Sequence, residues 1–286
     1  MPVSVLAVLG RGLVDPDTPI LRGDDLGVTR GDGCFEGCRV LVSDDGTAAV
    51  AKLDAHLDRM ARSADALALD FDRAAWLRLV AEACSAWAGS PEREAGMKLV
   101  LTRGTGDGSE PTGYLTISPL PADYPRQRRD GLTVITLDRG FDADSFAGTP
   151  WLLGGVKTLS YAVNMAAQRE AARRGADDAL FVTHDGHVLE SPTGTVVWLA
   201  DGTLHTTPLE GTGILGGTTQ QLLFERAASA GFDTASTLAT VDDLHAAELV
   251  WLIGSVRGPV DVVELDGKAR VRNPEIDRTV RALCGF

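Results

Sequence analysis

The chain has 286 residues, 44% hydrophobic and 23% charged, a balance that excludes a disordered or collagen-like polypeptide and calls for one large or two modest hydrophobic cores. Its formal net charge of -13 repels phosphate backbones, and no basic run suits an anionic lipid surface, so the expected partner is a small molecule rather than nucleic acid or membrane. No apolar run reaches the length of a membrane span, and Met1-Pro2-Val3-Ser4 does not open a basic-then-hydrophobic leader, so a cytoplasmic location is expected.

In chain order, Leu53, Leu57, Met60, Ala64 and Leu67 recur at helical spacing and predict an amphipathic helix over 52–69. Trp76, Val80, Cys84 and Trp87 predict a second over 73–87. The β-rich runs 97–102 and 114–118 flank Gly104-Thr105-Gly106-Asp107-Gly108 and predict a hairpin, which makes the first part α+β. The proline-rich, polar stretch 119–130 has the composition of an interdomain linker, giving an N-terminal domain over 1–118 and a C-terminal domain over 131–286. In the latter, 132–137, 179–183, 196–199, 249–253 and 260–265 read as strands, and 161–173, 217–230 and 276–283 as helices. The turn pairs Asp185-Gly186 and Asp201-Gly202 argue against an all-parallel sheet.

Four cysteines, Cys34, Cys38, Cys84 and Cys284, form a poor disulfide framework for this length and are read as reduced thiols. Cys34 and Cys38 lack CxxC spacing and have no second Cys or His pair near them, so no metal site is expected. His184 and His187 flank the Asp185-Gly186 turn and are read as hairpin residues.

Two segments carry candidate chemistry. Lys157, in Gly155-Val156-Lys157-Thr158-Leu159-Ser160-Tyr161, stands among small and apolar residues. Loss of hydration there favours a neutral, nucleophilic amine of the kind a Schiff-base lysine needs. Further on, Glu190, in Leu189-Glu190-Ser191-Pro192-Thr193-Gly194-Thr195, is a candidate acidic partner for a heterocyclic nitrogen. Taken alone, each has a plain reading as well, a solvated lysine at a helix start and a solvated turn glutamate. Gly211-Thr212-Gly213-Ile214-Leu215-Gly216 matches G-x-G-x-x-G ahead of a helix and has three readings: a phosphate site at the positive helix end, a plain loop leading into the helix, or a dinucleotide fingerprint. The third has poor context, since Pro208 interrupts the preceding segment and no repeated strand-helix-strand unit surrounds it.

Taken together, five landmarks stand in register: Arg30-Gly31-Asp32-Gly33-Cys34-Phe35-Glu36-Gly37-Cys38-Arg39, Leu53-Asp54-Ala55-His56-Leu57-Asp58-Arg59-Met60, Lys157, Glu190, and the loop from Gly213 to Thr219. In this pattern the chain resembles the fold-type IV pyridoxal-phosphate enzymes, the group of branched-chain and D-amino-acid aminotransferases and aminodeoxychorismate lyases, over nearly its whole length. The resemblance implies a two-domain fold, a smaller α+β N-terminal domain and a larger β-rich C-terminal domain with flanking helices, and a homodimer. It also implies that Lys157 holds pyridoxal 5'-phosphate, that Glu190 faces the pyridine nitrogen, and that Arg59, on the polar face of its helix, grips the phosphate with Gly217, Thr218 and Ser255. Thr195 stands where the family usually has asparagine, and Ala162 where branched-chain aminotransferases have a tyrosine.

Phe35-Glu36-Gly37 with Arg39 looks like the branched-chain aminotransferase signature. Leu99-Val100-Leu101-Thr102-Arg103-Gly104-Thr105-Gly106 and Ala51-Lys52-Leu53-Asp54-Ala55-His56 resemble the lyase, although Asp107-Gly108-Ser109-Glu110 replaces the second arginine and glycine of the lyase loop. The overall pattern is most similar to members usually assigned as lyases. The resemblance therefore implies a 4-amino-4-deoxychorismate lyase of folate biosynthesis, releasing pyruvate and 4-aminobenzoate, with an aminotransferase for branched-chain or D-amino acids as the alternative. A substrate with carboxylates at two ends calls for cations at two places, and Arg39, Arg103 and Arg257 are the candidates, each with a structural ion pair as its other reading. A phosphate-ligand binding protein and a dinucleotide oxidoreductase remain readings from other classes.

Overall fold

The computed structural model describes residues 5–106 and 110–286, so the chain start at Met1-Pro2-Val3-Ser4 and the Asp107-Gly108-Ser109 part of the expected turn and lyase-type loop lie outside the described residues. The chain divides into two units, Met1–Ala122 with Val156–Tyr161, and Asp123–Gly155 with Ala162–Phe286.

The first unit runs β1 (Val5–Val8), β2 (Gly12–Val14), α1 (Leu26–Arg30), β3 (Gly33–Val42), β4 (Ala48–Val50), α2 (Leu53–Ala66), α3 (Arg73–Trp87), β5 (Glu94–Thr102) and β6 (Thr112–Pro119). Its strands form one antiparallel sheet in the order β2-β1-β6-β5-β3-β4. Both expected helices are present, and Asp72 caps α3 by accepting the Ala75 N–H. Their apolar stripes, Leu57, Met60 and Ala64 from α2 and Trp76, Val80, Cys84 and Trp87 from α3, share one core with Cys34, Cys38 and Val40 of β3 and Met97, Leu99 and Leu101 of β5. Each large side chain buried there contributes about 1.5–3 kcal/mol. The period of two along β3 therefore also carries Glu36 into that core, fully buried between Cys34 and Cys38.

The second unit runs α4 (Tyr124–Asp130), β7 (Leu132–Asp138), α5 (Ala162–Arg173), β8 (Asp178–Val182), β9 (Thr195–Ala200), β10 (Thr203–Thr206), α6 (Thr218–Ala227), β11 (Asp233–Ser236), α7 (Val241–Ala246), β12 (Leu249–Gly254), β13 (Gly258–Leu265), β14 (Lys268–Ala269) and α8 (Pro274–Leu283). Its sheet is mixed, β11-β10-β9-β12-β13-β7-β8 with β14 on β13, antiparallel from β10 to β13 and parallel at both ends. The sheet is buried on both faces. Val196 and Trp198 of β9 point into one core with Val250 and Leu252, while Val197 and Leu199 point into another with Trp251, Leu223 of α6 and Val280 of α8. Asp201 (φ 49) and Gly202 (φ 74) make the tight β9–β10 hairpin that their sequence suggests.

Two expectations about organisation change. Within the expected linker 119–130, residues 124–130 are the helix α4, whose Pro125 sits in the first turn where its missing N–H costs nothing. The Lys157 segment, expected in the C-terminal domain, belongs with the first unit. Its Leu159 donates to Gly33 O (2.8 Å), its Lys157 carbonyl accepts the Phe35 N–H (3.0 Å), and Thr158 bridges to Cys34, so it lies as a short extra strand beside the start of β3. A Cβ at Gly33 would come within 2.5 Å of the Leu101 carbonyl oxygen on β5 and 2.8 Å of Leu159 Cδ1, and the backbone contact is why this position of the motif tolerates no side chain.

Candidate active site

The first unit builds a corner around one amine. Lys157 is half-buried, with its backbone N–H on Ser63 Oγ of α2 (3.2 Å) and its Nζ 2.9 Å from the Tyr161 hydroxyl. The same nitrogen lies 4.5 Å from the centre of the Phe35 ring and 5.1 Å from that of Tyr161, and the two rings meet edge to face at 4.9 Å. Tyr161 was not singled out as a site residue. The sequence places alanine at the expected tyrosine position, five residues after the lysine, yet the hydroxyl arrives from the fourth, because the segment runs extended along β3 before α5 begins at Ala162.

Arg59 is the first correction. Rather than standing on the polar face of α2, it is buried, and its Nε and Nη2 donate to the two oxygens of Glu36 (2.7 and 2.8 Å). Its carboxylate partner comes from β3, not from its own helix. His56, one turn earlier on the same face, places Nδ1 2.8 Å from Glu36 Oε2. Burial alone would raise the Glu36 carboxyl, but the Arg59 and His56 hydrogen bonds win and bring it from 4.5 down to about 2. Burial pushes the His56 imidazole down despite Glu36, so it is the neutral ring that donates Nδ1–H. Glu36, Cys38 and His56 place metal-ligand atoms within 4.8 Å of one another, a cluster invisible in the sequence spacing. The carboxylate already holds a guanidinium, and burial drives the Cys38 thiol well above its ordinary range, so these groups suit an arginine better than a metal ion.

The second unit carries the remaining expected residues. Glu190, half-buried, accepts the Leu215 N–H (3.2 Å) and lies in the field of Arg139, whose guanidinium stacks on Phe181 (5.0 Å) and Phe141 (5.6 Å). It is thus held rather than left as a loose turn residue, and Arg139 is a neighbour that the sequence did not reveal. Gly217 precedes α6 with no side-chain cap, and at that uncapped end Thr218 and Thr219 bring their hydroxyls to Ser255 Oγ (3.0 and 3.3 Å). A Cβ on Gly217 would lie 2.4 Å from Thr195 Oγ1, which fixes Thr195 against the helix start. Backbone N–H groups at a positive helix end with three hydroxyls beside them fit a phosphate. The other glycines serve packing: a Cβ on Gly213 (φ 71) would meet the Phe146 ring at 2.5 Å, and Gly211 O accepts the Phe146 N–H. Parallel strand-helix-strand crossovers do occur, β7–α5–β8 and β10–α6–β11, but residues 207–217 separate β10 from α6, so the glycines do not follow a strand as a dinucleotide fingerprint requires.

The three arginines proposed for substrate carboxylates are each engaged elsewhere. Arg39 pairs with Glu94 across β3 and β5 (2.6 Å), and Arg257 with Asp178 (2.8 Å), all but Glu94 being buried. Arg103 grips Asp32 through Nε (2.6 Å) and Nη2 (3.2 Å) and also donates to the Leu67 carbonyl (2.5 Å). Their partners lie far away in sequence, which is why spacing could not show the pairs. In the described residues all four cysteines are buried and outside any disulfide, and no helix is long and apolar enough to cross a membrane.

Residues 33–265 match the family model described as amino-transferase class IV. The chain belongs to that family. It is 42% identical, over 94% of both chains, to the bifunctional aminodeoxychorismate lyase / D-amino acid transaminase of Mycobacterium tuberculosis. The PLP-bound form of a hypothetical aminotransferase from the same organism superposes with a TM-score of 0.93 at 41% identity, covering 99% of this chain and 98% of that one. A fold IV-transaminase from Curtobacterium pusillum follows at 0.89 and 38%, covering 98% and 97%. The class IV family is pyridoxal-phosphate-dependent, and this chain is a class IV enzyme of that kind, a lyase or an aminotransferase with the fold-type IV architecture.

Proposed function

We propose that this enzyme is a 4-amino-4-deoxychorismate lyase that releases pyruvate and 4-aminobenzoate, with transamination of D-amino acids as the second reading. The observation that carries it is the 42% identity, spanning 94% of both chains, to a relative named for both reactions. Bound pyridoxal phosphate supplies an electrophilic aldehyde and a ring that accepts an electron pair. The Lys157 amine would hold it and, when free, would be the base for the proton at the amino-bearing carbon. Tyr161, at 2.9 Å, orients that amine. Glu190, held by Leu215 N–H and near Arg139, would be the acidic partner of the ring nitrogen. Arg59, Gly217, Thr218 and Ser255 take the phosphate, with Thr195 setting the position of Gly217.

Both reactions begin with the same proton abstraction. In the lyase the side chain would leave as enolpyruvate, which takes up a proton to become pyruvate, and the ring would be left aromatic; in a transaminase the Lys157 amine would instead hold the proton and give it back. The role proposed from sequence for Arg39, Arg103 and Arg257 is not carried forward: each is paired with a carboxylate, and none has the position in the family pattern that makes Arg59, itself paired with Glu36, the phosphate residue. We further propose a homodimer working in the cytosol on folate precursors. Exposed Trp151, Leu152, Val163 and Met165 support a partner copy, and buried cysteines outside any disulfide a reducing compartment.

The deciding experiment mixes the pyridoxal-phosphate-loaded enzyme with aminodeoxychorismate and follows 4-aminobenzoate together with the coenzyme spectrum. Repeated release with the starting spectrum restored supports the lyase. No release, with conversion to the amine form by a D-amino acid, supports the transaminase instead.

A further inference from the structure

The first unit spends a charged cluster on the orientation of one guanidinium. Glu36 is 0% exposed, His56 0% and Arg59 7%, in a core otherwise made of Leu57, Met60, Cys34, Cys38 and Leu99. A buried ion pair is a poor device for stability, because apolar side chains of the same volume serve about as well. His56 adds to the cost: its Nδ1 goes to Glu36, while its buried Nε2 has no hydrogen-bond partner among the described residues. What the cluster achieves is direction. Glu36 receives Arg59 through Nε and Nη2, a side-on grip that fixes both the plane and the roll of the guanidinium, and His56 pins the oxygen that takes Nη2. The same face of α2 then presents Ser63, whose Oγ holds the Lys157 backbone. One helix face thus registers the arginine and the lysine together.

We propose that Glu36 and His56 are positioning residues for coenzyme binding, locking the Arg59 guanidinium in the orientation in which it receives the coenzyme phosphate. This rests on the phosphate role of Arg59 proposed above. Both residues are 0% exposed, so neither is open to a ligand. They act on the phosphate end alone, so their loss distinguishes pyridoxal phosphate from pyridoxal, which has the same ring and aldehyde but no phosphate.

The test measures the affinity of the full chain, stripped of coenzyme, for both compounds. Glu36→Gln is expected to weaken pyridoxal phosphate by about 10-fold or more while pyridoxal changes less than about 2-fold. Equal losses for both compounds, or no loss for either, overturn the proposal. Should Glu36→Gln fail to fold, a pair at the neighbouring position decides. His56→Leu removes the donor and is expected to lower the ratio of the two affinities, and His56→Asn, which keeps a donor near the Nδ1 position, to restore most of it. A His56→Leu ratio equal to wild type overturns the proposal, as does failure of His56→Asn to recover it. Arg59→Lys separates the underlying reading from this one. An unchanged ratio there removes the phosphate role of Arg59 itself. A lowered ratio there, with an unchanged one in Glu36→Gln, refutes only the positioning by Glu36 and His56.

Discussion

The Lys157 amine and the Tyr161 hydroxyl lie 2.9 Å apart, with the Phe35 ring closing the third side of the corner. A hydroxyl at that distance orients the nitrogen and exchanges a hydrogen bond with it in either protonation state. Tyr161→Phe keeps the edge-to-face packing and removes only that bond. Turnover is expected to fall about 10-fold, the cost of one such hydrogen bond at the reacting group, with coenzyme affinity nearly unchanged. Steady-state kinetics beside a coenzyme titration check this, and wild-type kcat in the variant would take Tyr161 out of the mechanism.

Lys157→Ala removes the attachment point without disturbing the strand-like pairing of its segment, which runs through the backbone of Lys157, Thr158 and Leu159. Turnover is expected to vanish while the melting temperature of the coenzyme-free protein stays within a few degrees of wild type. Borohydride treatment of the loaded wild-type protein should fix the coenzyme to the peptide carrying Lys157, and label on another peptide would move the nucleophile elsewhere.

Acid stability should report the buried cluster. The Glu36 carboxyl lies at about 2 in the fold against an ordinary 4.5, so its contribution is complete above pH 4.5 and is lost as the pH falls toward 2. A shift of that size corresponds to about 3 kcal/mol. His56, pushed below its ordinary 6.5, works with the same sign, since protons bind the unfolded chain first. Urea unfolding at a series of pH values should therefore show a steeper loss below pH 4.5 in wild type than in Glu36→Gln. Parallel curves would mean that the carboxylate is not ionised in the fold.

Helices α2 and α3 were legible because their apolar residues repeat every three or four positions, and the β9–β10 hairpin because Asp201-Gly202 demands its turn. Strand β3 was not read as a strand. Its two glycines, Glu36 and Arg39 break the alternation, and pairing with Glu94, His56 and Arg59, far off in sequence, makes those charges tolerable. The candidate residues Lys157, Glu190 and Arg59 were visible through the family pattern, but their surroundings were not. Tyr161 stood one position from where the pattern looked, and Arg139 carries no motif at all, acting through its place between two aromatic rings near Glu190.

At the start of α6 the backbone itself forms the site. Gly217→Ala introduces a methyl group 2.4 Å from Thr195 Oγ1, although its φ of -77 suits any residue, so the cost is a clash and not strain. Thr195 is buried and has little room to yield. The helix start must then shift, and affinity for pyridoxal phosphate is expected to drop about 10-fold with pyridoxal less affected. Gly217→Ala paired with Thr195→Ala, which removes the clashing hydroxyl, should recover part of the loss. Unaltered affinity in the single variant would place the phosphate away from Gly217.

Arg257 and Asp178 decide between a substrate cation and a structural pair. They meet at 2.8 Å with side chains 9% and 1% exposed, and Arg257 cannot leave without stranding a buried carboxylate. Asp178→Asn should therefore lower stability by about 3 kcal/mol and leave KM for the substrate within about 2-fold, because the pair serves packing between β8 and the β12–β13 turn. If Arg257 instead held a substrate carboxylate, freeing it from Asp178 would lower KM by strengthening that contact, and Arg257→Met would raise KM far more than it lowered the melting temperature. The structural reading makes the opposite forecast for Arg257→Met: a protein that melts earlier, with substrate affinity close to wild type at temperatures where it remains folded.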